Sequence, residues 1–341
     1  MTEHRDAATS APSTPATEPS GPAVDPSAPA VGQAPLDDAR ARHYGAFYGL
    51  EDAPEGAGLV LGNCQAESVR IMLDAPDAPT VRVPPVHEMT AEEMPLLRRL
   101  LRRADFVVTQ PIRRDYRDLP LGTEQTREAV RPGCPVVTVP AVRFAGLHPF
   151  QLVLRHPSGG YAPPLVDYHD VRTLAAAAGI AVRETLDEDA LRETVRESLA
   201  ELRLRERRSG AVAVSDVFDH PGFSHMRTVN HPGNPVWTAL AERVLAALGL
   251  DRAPTDPGRP LLAGIEAPRE EWVARFWGLD AEPTEDWTVA GARVPAAEVA
   301  FAVVSGFSWF IGAILSAVIY LAIADRSREF RAVDGESIAV V

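Results

Sequence analysis

From about residue 57 to residue 139, short unbroken apolar runs alternate with amphipathic stretches. The first run, Leu59-Val60-Leu61, stops at Gly62, and a strand is expected over 57–62. Helical spacing follows from Gln65 to Leu73, and Thr80 to Val83 reads as a second short strand. Thr90 is suited to cap a helix, with Glu93 three residues on completing a capping box. The helix behind it, Ala91 to Arg103, carries apolar residues at Met94, Leu97, Leu100 and Leu101. Asp105 to Thr109 is expected as a third strand, running into Gln110-Pro111. A helix over Thr123 to Val130 leads to a fourth strand, Pro135 to Val139. Strands alternating with helices predict an α/β fold: a parallel sheet flanked by helices.

Beyond Pro140 the pattern changes to a helix-rich second half. Phe144 to Pro149 reads as a loop, and Tyr168 to Ala178 as a helix. A longer helix over Asp187 to Arg208 has an apolar row at Leu191, Val195, Leu199 and Leu202 and stops at Gly210. Its many charges read as a solvated face. A strand is read over Val212 to Phe218, and Pro235 opens a last amphipathic helix, Val236 to Leu248. The two ends differ from the middle. Residues 1–35 are rich in Pro, Ala, Ser and Thr, which cannot bury enough surface to offset ordering, so a disordered tail is expected. Val299 to Ala324 carries no charge, and Ser308, Gly312 and Ser316 make a small-residue row. That length predicts a transmembrane helix over 296–325. The expected layout is a tail (1–35), a catalytic domain (36–295), a membrane span and a short polar tail (326–341). With Arg326, Arg328 and Arg331 after the span, a membrane-anchored enzyme with a cytoplasmic catalytic domain is expected.

Charge and cysteine content narrow the chemistry. The net charge is −13, and all 34 basic residues are arginine. An acidic chain without a basic block is a poor nucleic-acid binder. Two cysteines, Cys64 and Cys134, exclude a disulfide framework and a cysteine-rich zinc site, and no metal is expected. Cys134, between Gly133 and Pro135, reads as structural.

Cys64 stands differently. A strand ending in glycine delivers Asn63-Cys64-Gln65 to the carboxyl edge of the sheet, where open α/β sheets keep their crevices. Backbone N–H groups at such a turn favour a thiolate. Late in the chain, Asn230-His231-Pro232 precedes the last helix, and proline stiffens that loop. Cys64 and His231 are therefore the candidate nucleophile and base, with His148 as alternate base and His225 third. His43, His87 and His169 read as surface or helix positions.

An early nucleophile and a late loop histidine resemble the GDSL/SGNH hydrolase plan. The chain departs from it in having Cys64 for the serine and Thr228 where those enzymes carry an aspartate; Asn230 or Asp219 would orient the imidazole. A closer resemblance, over roughly 57 to 280, is to the WcbI-type polysaccharide biosynthesis family. It is carried by Gly62-Asn63-Cys64-Gln65-Ala66, Ala104 to Gln110, Phe144 to Pro149, Leu204 to Arg207, Phe223-Ser224-His225 and Asn230-His231-Pro232. The resemblance implies coenzyme A (acetyl-CoA) as acyl donor and acyl transfer to the hydroxyl of a sugar or glycan. Gly62, Asn63, Gln65, Gln110, Arg113 and Arg143 are then the expected donor-binding residues, the arginines facing phosphates. The N–H groups of Cys64 or Gln65, with the Asn63 or Gln110 amides, are the expected oxyanion donors. The competing readings are an esterase or thioesterase using the same Cys/His pair with water, and a non-catalytic binding module.

Overall fold

The computed structural model describes residues 38–153 and 165–305. Two short helices, α1 (Asp38–His43) and α2 (Gly45–Tyr48), lead into β1 (Gly58–Leu61). Then follow α3 (Cys64–Leu73), β2 (Thr80–Val81), α4 (Met94–Leu101), β3 (Val107–Thr109), α5 (Thr123–Ala129) and β4 (Val136–Thr138). The four strands form one parallel sheet in the order β2-β1-β3-β4. Each expected strand is present, shortened at its ends. The capping box at Thr90 also forms, but it starts a 3-10 turn, Ala91–Glu93, that hands over to α4.

Strand side chains point alternately to the two faces, which puts one core on each side of the sheet. Val60 and Val108 pack with Val69 and Met72 of α3 in one core. Leu59, Leu61 and Val107 pack with Leu97 and Leu101 of α4 in the other.

The second half adds β5 (Gln151–Val153), β6 (Tyr168–Asp170), α6 (Val171–Ala177), α7 (Glu188–Ser209), β7 (Met226–Thr228), β8 (His231–Pro232) and α8 (Asn234–Leu248). It ends with β9 (Ile265–Glu266), α9 (Glu271–Trp277), β10 (Trp287–Val289), β11 (Ala292–Val294) and α10 (Ala296–Ser305). Helices α7 and α8 supply Leu199, Leu202, Trp237 and Leu240 to the core that holds α3. Three small antiparallel sheets, β5-β6, β7-β8 and β11-β10-β9, accompany these helices, so this half is less helical than its sequence suggests.

Two expectations are corrected. The helix expected from Tyr168 begins only at Val171, because Asp170 caps it by accepting the Arg172 N–H at 2.7 Å, leaving Tyr168 and a buried His169 in a strand. The strand expected over Val212 to Phe218 is a 3-10 turn, Ser215–Phe218. Val212 donates one bond to Thr138 O, but the Glu206 carboxylate then takes the N–H groups of Val214 and Ser215 and turns the chain away. Of the apolar helix expected over 296–325, the described residues hold the first ten, α10 (Ala296–Ser305). Among the described residues no helix is long and apolar enough to cross a membrane. Residues 306–325 and the tail expected over 1–35 lie outside the described residues.

Candidate functional site

The chain order reverses between β1 and β3: α3 leads from β1 to β2 on one flank, and α5 leads from β3 to β4 on the other. Such a switch point opens a crevice at the carboxyl ends of its two strands. Leu61 pairs with Thr109, so Gly62 and Gln110 leave the sheet side by side. Gln110 N–H donates to Leu61 O at 2.9 Å, and its side-chain Oε1 accepts the Asn63 N–H at 2.8 Å. A Cβ at residue 62 would lie 2.5 Å from that Oε1, which is why a glycine stands there. Asn63 caps α3, its Oδ1 accepting the Gln65 N–H at 2.9 Å. Cys64 opens the helix with its side chain exposed, where helical N–H groups favour negative charge.

His231 is carried on a tight hairpin, with Thr228 of β7 opposite it. Gln65 joins this hairpin to the Cys64 turn. Its Nε2 donates to Asn230 O and to Val142 O, each at 2.8 Å, and its Oε1 accepts the Val142 N–H at 2.9 Å. The residue after Cys64 is thus bonded to the residue before His231. Gln65 is 2% exposed, so its amide works as an internal clamp. Gln110 is likewise buried and bonded, and the Gln65 N–H is used by its cap. Of the expected oxyanion donors, the Gln65 N–H and the Gln110 amide are therefore engaged within the fold.

Tyr168, which the sequence did not single out, completes the cluster. Its hydroxyl donates to Asn230 Oδ1 at 2.6 Å. Its ring meets His231 edge-on, centroids 5.6 Å apart, and stacks on Trp287 at 5.9 Å. Burial raises its hydroxyl pKa, and the charge of Cys64 adds to the rise while Arg143 opposes it, so all three groups share one neighbourhood. The available signal was Asp170, a helix cap that marks the preceding residues as non-helical.

Burial pushes the His231 imidazole down to about 4, with Asp167 partly opposing, so the ring is neutral near pH 7. Its Nδ1 is buried and has no hydrogen-bond partner among the described residues. Of the two expected orienting groups, Asn230 bonds Tyr168 and Asp219 pairs with Arg203 at 3.5 Å. His148 is buried, and its Nε2–H donates to Met226 O at 3.1 Å. Burial pushes it down to about 4 as well. His225 Nδ1 sits within the Gly222 turn, 3.0 Å from that residue's N–H.

The arginines divide. Arg113 is exposed on the loop after β3, its guanidinium 5.9 Å from the Tyr116 ring centroid, and Arg114 pairs with Glu128. Arg143 is exposed, and its charge lowers the pKa of Arg205 as well as that of Tyr168. Arg205, half-buried on α7, has an Nε that is buried without a hydrogen-bond partner among the described residues. Tyr168 also lines a cavity of about 440 Å³, walled further by Phe150, Trp272, Trp287 and His148. Cys64 does not line it; Tyr168 is the shared wall. Among the described residues no group of three His, Cys, Asp or Glu could hold a metal ion.

Comparison with known proteins agrees with the fold. The sequence profile of the family described as polysaccharide biosynthesis enzyme WcbI matches residues 57–253, from β1 to just past α8. A solved structure of WcbI, described as a novel polysaccharide biosynthesis enzyme and as native protein without a disulfide bond between coenzyme A and one of its cysteines, shares the fold. It superposes with a TM-score of 0.62 at 20% sequence identity, covering 80% of this chain and 96% of that one. No curated protein matches. With more than half its length matched to the family profile, this chain belongs to the WcbI family of polysaccharide biosynthesis enzymes.

Proposed function

We propose that this enzyme is an acyltransferase that moves an acyl group, such as acetyl, from coenzyme A to a hydroxyl of a polysaccharide or glycan precursor. The observation that carries the reading is the Gln65 clamp, which holds an exposed thiol at a helix start beside the hairpin of a neutral histidine. Donor binding is supported by two groups. The buried, partnerless Nε of Arg205 sits close to Arg143, and a phosphate would satisfy that nitrogen and relieve the like-charge repulsion. The related solved protein is described in connection with coenzyme A and a cysteine. When bound, the thioester supplies an activated acyl group.

The protein's own residues then have defined tasks. Neutral His231 accepts a proton, either from Cys64 or from the acceptor hydroxyl. In the first route the Cys64 thiolate attacks the acyl carbonyl, the thioester C–S bond breaks, coenzyme A leaves with the proton held by His231, and acyl-Cys64 forms. The acceptor hydroxyl then gives its proton to His231 and attacks, and the Cys64 thiolate leaves. In the second the hydroxyl attacks directly. The Cys64 N–H and Asn63 Nδ2 stabilise the oxyanion common to both. The test is acetyl-CoA turnover with and without a glycan acceptor. Turnover should require the acceptor and fall at least about 100-fold in His231→Ala, and an equal fall in Cys64→Ala selects the covalent route. Acetate release without an acceptor would instead identify a thioesterase. Turnover untouched by His231→Ala would end the reading.

A further inference from the structure

The cavity lined by Tyr168 has no part in the chemistry described so far. We propose that it is the seat of the glycan acceptor, taking a neutral polyhydroxylated ring; this rests on the acyltransferase reading above. At about 440 Å³ it falls within the range of small-molecule sites. Its charge selects the ligand. Asp170, Glu270, Glu271 and Glu285 face only Arg172 and Arg269. Arg172 is already spent, paired with Asp170 at 2.6 Å and Glu270 at 2.5 Å. A phosphate-bearing donor is repelled from such a lining, whereas sugar hydroxyls donate to carboxylates without a charge penalty.

The apolar part fits the same ligand. Trp272 and Trp287 stand in the wall with Tyr168, and Trp272 is fixed by its Nε1–H donating to Glu270 Oε2 at 2.6 Å. Aromatic faces take the C–H faces of a pyranose, and carboxylates at their rims take its hydroxyls. Location gives the third argument. Tyr168 lines this cavity and its ring meets His231 edge-on, so an acceptor here lies beside the residue that abuts the base.

The experiment is saturation-transfer NMR on the full-length protein with methyl glycosides of mannose, glucose, galactose and N-acetylglucosamine. At least one should show transfer. The signal should fall at least about tenfold in Trp272→Ala and in Thr173→Trp, which fills the cavity rather than emptying it. Inorganic pyrophosphate should not displace the sugar. Calorimetry with coenzyme A on the same variants is the control, since neither residue lies by Arg143 or Arg205, and its binding should stay within about twofold. No transfer from any glycoside, transfer indifferent to both substitutions, or displacement by pyrophosphate overturns the proposal. Cavity-dependent sugar binding with no coenzyme A affinity would leave the cavity assignment standing and remove the acyltransferase reading.

Discussion

His231 owes its charge state to burial, and that has a visible consequence for pH dependence. Its pKa lies near 4 instead of the ordinary imidazole value of about 6.5, so the ring keeps its accepting lone pair well below neutrality. The acid limb of kcat/KM, measured by initial rates from pH 4 to 8, should therefore have its midpoint below about pH 5. A midpoint near 6.5 would mean that the ring is solvated in the working enzyme. Arg205 makes a second case. A buried Nε without a partner is a standing cost of about 1–3 kcal/mol, which a bound phosphate would remove. Arg205→Gln should weaken coenzyme A by calorimetry at least about tenfold while leaving the thermal midpoint unchanged or raised. An unchanged affinity would separate Arg205 from the donor. Glu206, next to it, was hidden among the charges of α7, yet it is buried and bonds Val214, Ser215 N–H and Ser215 Oγ. Periodicity alone cannot tell a solvated carboxylate from one that ends a turn.

Elements differed in how plainly they could be read. Strands β1 to β4 were legible because strands of a covered parallel sheet leave unbroken apolar runs with glycine or proline at their edges. The Cys64 turn and the His231 loop could be picked out for the same reason, since both flank long regular elements. Strands of two or three residues, such as β6, β7 and β9, leave no period to detect, so Tyr168 reads as helical in the sequence and the cavity wall leaves no pattern there. The hairpin carrying His231 also depends on one close approach: a Cβ at Gly233 would lie 2.0 Å from Ser224 O. Gly233→Ala must therefore move backbone, and turnover should fall together with the melting temperature. Gly62→Ala meets a side chain instead, Gln110, whose displacement releases the Asn63 N–H. It should lower turnover with a smaller loss of stability. Equal melting temperatures for Gly233→Ala and wild type would contradict the packing at that hairpin.

At the scale of the whole molecule, two buried histidines act on stability together. His148 and His231 are both held near 4 by burial, against about 6.5 in the unfolded chain. The unfolded state then binds more protons between those values, so their contribution is fully present above pH 6.5 and is lost as pH falls toward 4. Two and a half pH units correspond to on the order of 3 kcal/mol for a fully buried ring such as His148. Urea midpoints should be flat from pH 8 to 6.5 and drop steeply below about 6, and His148→Gln should shallow that drop. A midpoint that rises on acidification would refute the burial of both rings.

The Gln65 amide spans 77 residues of sequence to Val142 and 165 to Asn230. Contacts this distant close late when a chain folds, because loop entropy must be spent before they form. During renaturation from denaturant, ellipticity should return ahead of catalytic competence, with the lag set by docking of the β7–β8 hairpin. An unchanged lag in Gln65→Met, which removes the clamp, would show that some other contact gates the recovery of activity.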